Sequence, residues 1–132
     1  MPKPEKDFFP QPIVLADIPA EGPGRAELGD GVVAVVFRDR ESVRVMRDLC
    51  PHMGAPLSEG HMVNGCLQCP WHGYRFDPAD GHFVENPNEQ RFAPLRALYK
   101  TFKPEKRPNY RIQAFAFEVE DGRIWVRRPG IA

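Results

Sequence analysis

The chain has 132 residues and a mass of 15.0 kDa, enough for one modest hydrophobic core and not for two. A hydrophobic share of 42% with 27% charged residues excludes a fibre and a disordered chain. Lys plus Arg equal Asp plus Glu, 18 against 18, so no bulk charge draws the chain to nucleic acid, and no run approaches the ~20 apolar residues of a membrane span.

At the N-terminus, Met1-Pro2-Lys3-Pro4-Glu5-Lys6-Asp7 has no apolar run behind its lysines, so it does not read as a secretory signal and a cytoplasmic location is expected. Residues 1–11 are expected to form a flexible tail ahead of a single domain over 12–132. The 15 prolines are spread along the chain, which breaks long helices and suits short strands joined by ordered loops. The β-rich runs Val32–Phe37 and Val43–Met46, separated by the polar Arg38-Asp39-Arg40-Glu41, predict a hairpin. Cys66–Cys69 and Tyr74–Phe76 predict two further short strands, and Asp77-Pro78-Ala79-Asp80-Gly81 predicts a turn.

Beyond this point the composition changes. Residues 48–87 carry a net −4, whereas residues 88–111 carry +5, a dipole able to orient the protein on a partner. Within the basic stretch of about 88–110, Leu95, Leu98 and Phe102 follow a helical spacing between Pro94 and Pro104, predicting a short helix over 94–102. Ile112–Glu118 alternates, and Glu120-Asp121-Gly122 ahead of Ile124-Trp125-Val126 gives an Asp-Gly hairpin signal. Trp125 reads as core. The chain is therefore expected to be mainly β, with strands on both sides of its central region.

That centre holds the chemistry. Cys50-Pro51-His52-Met53-Gly54 is followed by Cys69-Pro70-Trp71-His72-Gly73, so two loops each offer one thiolate and one imidazole. Thiolate is soft and anionic and suits iron in a cluster; imidazole in place of two thiolates raises the reduction potential. The adjacent prolines rigidify each loop. Gly54 and Gly73 stand where the backbone must approach closely or take a positive φ. Three cysteines cannot form a paired disulfide framework and read more naturally as ligands. The competing reading of these four residues is a tetrahedral zinc site, although a zinc knuckle usually spaces and flanks its pairs differently.

CPHMGAPLSEG followed by CPWHGYRFD resembles the Rieske iron–sulfur family, and within it the soluble ferredoxins and oxygenase domains of ring-hydroxylating systems. The resemblance is strongest over residues 47–84 and extends to the flanking strands. It implies a Rieske-type fold, with an antiparallel β base carrying a smaller cluster-binding subdomain of two ligand loops at about 48–84. It further implies one [2Fe–2S] cluster held by Cys50, His52, Cys69 and His72, with the cysteines on a buried iron and the histidines on the outer one. The basic stretch 88–110 is longer and more basic than the resemblance leads one to expect, and reads as a basic insertion.

Two departures from respiratory and photosynthetic Rieske subunits matter. Ala55 and Trp71 stand where those subunits bridge extra cysteines, and Tyr74 and Phe76 stand where they carry hydroxyls. Fewer hydrogen bonds to the sulfurs predict a potential nearer roughly −150 mV than +300 mV, which disfavours quinol oxidation. Met53 and Trp71 are expected to shield the cluster. His61 and His82 read as surface residues, and Cys66 as strand packing.

The chain has four histidines, two of them committed to the cluster, so a mononuclear iron site of two histidines and a carboxylate is not expected. A glycine-rich dinucleotide motif is also missing. The expected role is a one-electron carrier between a flavin-dependent reductase and a terminal oxygenase, with no nucleic-acid or membrane partner. The alternative is the Rieske subunit or fragment of an aromatic-ring-hydroxylating oxygenase whose mononuclear iron lies on another chain.

Overall fold

The computed structural model describes residues 6–51, 54–71, 73–85 and 110–129. The described residues form ten short strands in three antiparallel sheets. β1 (Ile13–Val14), β10 (Arg123–Val126) and β9 (Phe117–Glu120) make one sheet. β2 (Gly24–Gly29), β3 (Val32–Asp39) and β4 (Ser42–Arg47) make the second. β5 (His61–Val63), β6 (Cys66–Gln68), β7 (Arg75–Phe76) and β8 (Phe83–Glu85) make the third, which carries the second ligand loop between β6 and β7. The mainly β, antiparallel architecture expected from the sequence is present.

β3 is the organising strand. Ala34, Val35, Val36 and Phe37 are all buried, and because side chains alternate across a strand they feed two cores. Val35 and Phe37, with Met46 of β4, pack against Cys50, Leu57, Cys69 and Phe76. Ala34 and Val36, with Val45 of β4, pack against Leu28, Phe115, Ile124 and Val126. A strand covered on both faces reads as a continuous apolar run, which is the pattern of residues 32–37. The β3–β4 connection is tighter than the four-residue turn expected: Asp39 pairs with Ser42, and Arg40 takes φ 60°.

Several elements differ from expectation. The supposed tail is docked from Phe8 onward: Phe8 and Phe9 are buried, the Phe9 N–H donates to the Val126 carbonyl, and the Gln11 N–H to that of Leu28. The two aromatic rings supply the burial that a flexible tail lacks. The strand expected over 112–118 begins only at Phe117, because Ile112 and Phe115 are the buried residues, three apart rather than two. Residues 110–116 instead run as a strap, with Ile112 bonded to Gly81, Arg47 to Gln113 and Phe115 to Val45 through backbone hydrogen bonds. The Asp121-Gly122 turn forms as expected, at φ 53° and 75°, and Trp125 is buried. The helix expected over 94–102 and nearly all of the basic stretch 88–110 lie outside the described residues.

Leu57, Ser58 and Glu59 form a 3-10 turn that brings the chain out of the first ligand loop against β6. A Cβ added at Gly60 would stand 1.9 Å from the Gln68 carbonyl oxygen, so only glycine allows this crossing one residue before Cys69. Gly60→Ala is therefore expected to destabilise the protein by about 1–3 kcal/mol or more and to impair cluster loading, measured by thermal unfolding and by visible absorbance per chain. Ile124→Val, in the other core, is expected to cost about 0.5–1.5 kcal/mol with unchanged loading, since its methylene is buried far along the chain from either ligand loop.

Candidate metal centre

The two Cys–His loops are built alike. In the first, the Cys50 N–H donates to the Ala55 carbonyl and the Gly54 N–H returns to the Cys50 carbonyl, both at 2.8 Å. In the second, the Cys69 N–H donates to the Tyr74 carbonyl at 2.8 Å, and the Gly73 N–H returns to Cys69 at 3.2 Å. Each glycine stands four residues after its cysteine, with φ 79° at Gly54 and 73° at Gly73. An L side chain resists that conformation, so the glycines are what let both loops close back on their cysteines.

Cys50 and Cys69 are each 1% exposed and share one apolar core with Ala55, Leu57, Leu67, Phe76 and Phe83. None of the three cysteines is in a disulfide. As ligands the two sulfurs would be thiolates, and at such depth thiolates would need a cationic partner, since an unpaired charge is costly to bury. Ferric iron supplies one, and soft thiolate is its suited donor in a cluster. The donor set therefore fits a two-iron centre. His52, Met53 and His72 lie outside the described residues.

Behind the second loop stands an aromatic wall. Tyr74 packs on Phe83 at 5.3 Å between centroids and on Tyr110 at 6.1 Å, while Phe76 is fully buried and meets Phe83 edge to face. Leu49, next to Cys50 in the chain, and Trp71, two residues after Cys69, are 46% and 57% exposed.

The remaining singled-out residues lie elsewhere. His61 is exposed on β5, directly paired with Gln68. Cys66, on β6, is half-buried and lines a cavity of about 700 Å³ with Asp39, Arg44 and Asp77. His82 contacts Asp80 within the turn predicted at 77–81, and the backbone N–H of His82 holds the Asp80 carboxyl below its ordinary range. Sequence reasoning missed Asp48 and Ser58, which meet through two hydrogen bonds across the first loop. Nothing local in a ten-residue separation signals that contact.

A family model described as the Rieske [2Fe-2S] domain matches residues 13–103. The chain is 42% identical over 73 residues to the dicamba O-demethylase oxygenase component of Stenotrophomonas maltophilia, covering 55% of this chain and 18% of that protein. It is 39% identical over 101 residues to apoptosis-inducing factor 3 of Homo sapiens, covering 76% of this chain and 13% of that protein. It thus spans less than a quarter of either curated relative. Its fold matches the Sphingomonas yanoikuyae B1 ferredoxin with a TM-score of 0.67 at 21% identity, over 90% of this chain and 97% of that one. It also matches apo dicamba monooxygenase with a TM-score of 0.61 at 27% identity, over 86% of this chain and 31% of that one. The chain belongs to the Rieske [2Fe-2S] domain family, and its cofactor is a [2Fe–2S] cluster.

Proposed function

We propose that Cys50, His52, Cys69 and His72 hold the cluster and that the chain is a one-electron carrier, the ferredoxin component between a flavin-dependent reductase and a terminal oxygenase. The observation that carries this reading is the matched closure of two loops around two buried cysteines in one core. The cluster supplies one-electron redox chemistry. The chain's own residues fix the sulfurs, exclude water from them and leave Leu49 and Trp71 at the surface beside them.

One observation favours a carrier over an oxygenase active site within these residues. Only His61 and His82 remain outside the ligand boxes, and among the described residues His82 groups with Asp77 and Asp80 rather than with a second histidine. The cluster-binding subdomain is taken as about 48–84, within a domain whose core already includes Phe9, and the cytoplasm suits the free thiols this chemistry needs. The second reading, the Rieske part of an oxygenase, draws on the 42% identity to an oxygenase component.

Cys50→Ser and Cys69→Ser are each expected to abolish the visible and EPR signatures of the cluster. His52→Cys or His72→Cys, where a cluster survives, is expected to lower the midpoint potential, and an unchanged potential would remove the histidines from the ligand set. In stopped-flow absorbance, the isolated chain is expected to be reduced by a flavin reductase and reoxidised by a separate oxygenase. Reduction without onward transfer to any separate oxygenase would favour the oxygenase-part reading.

A further inference from the structure

The two ligand loops are closed at their outer ends by different means. β6 and β7 pair directly, Gln68 opposite Arg75, so a strand ladder seals the second loop, and the Arg75 Nε donates to Gln68 Oε1 at 3.2 Å. The first loop has no such ladder, because β4 belongs to the sheet of β2 and β3 whereas β5 pairs with β6. Its ends are joined through Asp48. The Ser58 backbone N–H donates to Asp48 Oδ1 and the Ser58 hydroxyl to Asp48 Oδ2, both at 2.6 Å. Asp48 is itself tied down, its N–H donating to the Val33 carbonyl of β3 at 3.0 Å.

We propose that Asp48 is a positioning residue for the cluster: its carboxylate, gripping Ser58, does for the first ligand loop what strand pairing does for the second, and so fixes Cys50 relative to Cys69. The inference rests on the cluster being held by these two loops. Three observations make the contact more than a surface hydrogen bond. It is half-buried, it engages both carboxylate oxygens, and charge-assisted bonds of this length are the strong class. It also spans the loop from two residues before Cys50 to the 3-10 turn, whose Leu57 is fully buried in the cysteine core. Without the carboxylate, the inner ring from Cys50 to Ala55 and the packing of Leu57 remain, but the hydrogen-bonded tie between residues 48 and 58 is lost.

The test uses the full chain with its cluster loaded. Asp48→Ala is expected to release the cluster to a chelator about 10–100-fold faster and to shift the g-values of the reduced EPR spectrum, as loss of outer-shell support does elsewhere, and Ser58→Ala, which keeps the backbone N–H bond to Oδ1, to act in the same direction by a smaller factor. The double variant should behave like Asp48→Ala, because both changes break one contact. Ser58→Thr, which keeps the hydroxyl and the backbone N–H, is expected to restore the parent spectrum. Ile124→Val serves as the destabilised control with an unshifted spectrum. Parent spectra and control-like release rates in both alanine variants would overturn the assignment of Asp48. Should Asp48→Ala not fold, the Ser58→Ala and Ser58→Thr pair decides the matter alone. An unsubstituted chain with no two-iron spectrum would instead overturn the cluster reading itself.

Discussion

Val35 and Phe37 point to one side of β3 and Ala34 and Val36 to the other, and every one of them is buried. A single strand therefore serves two cores, and neither the base nor the cluster-bearing part can shift against the other without uncovering apolar surface. Each large side chain so buried contributes about 1.5–3 kcal/mol. β4 extends the arrangement with Val45 on one side and Met46 on the other before the chain turns, through Arg47 and Asp48, into the first ligand loop. The strap of residues 110–116 repeats it from the far end, burying Ile112 in the cysteine core and Phe115 in the base. The ligand loops thus stand on a rigid platform, and this has a consequence for electron transfer. Loops that cannot relax when the cluster changes charge keep reorganisation small.

The platform alone does not form a metal site. Backbone closure at Gly54 and Gly73 turns each loop back on its cysteine, and burial at 1% exposure removes both sulfurs from water. Water removal strengthens the interaction between thiolate and metal, because charges attract more strongly where the local dielectric is low. The same removal leaves the potential to be set by whatever hydrogen bonds reach the sulfurs and by the aromatic surroundings. Phe76, fully buried against Phe83, offers no hydroxyl for that purpose.

How much of this was written in the sequence varies with the range of the interaction responsible. The two Cys–His boxes, the β3–β4 hairpin and the Asp121-Gly122 turn were legible because each depends on residues close in the chain. The strands β2 and β5 were not. Gly24, Ala26 and Leu28 do alternate toward the base core, but small side chains give a weak apolar signal. β5 has only three residues and owes its existence to pairing with β6. The docking of Phe8 and Phe9 depends on Leu28 and Val126, each distant in the chain, and a proline-rich start gave no hint of it. At the site, glycine's role at 54 and 73 could be anticipated from the positive φ that loops demand. The need for glycine at 60 could not, since its cause is a carbonyl on a different strand.

The contrast between the loops also bears on where an electron would cross. Cys50 and Cys69 are sealed in the core, yet each is flanked in the sequence by a large apolar side chain at the surface, Leu49 beside one and Trp71 two residues from the other. An apolar surface sheds water easily, so a partner can approach the centre at little desolvation cost. Small interfaces belong to short-lived electron-transfer encounters rather than to permanent assembly. Brief contact suits a carrier that must leave one partner before meeting the next.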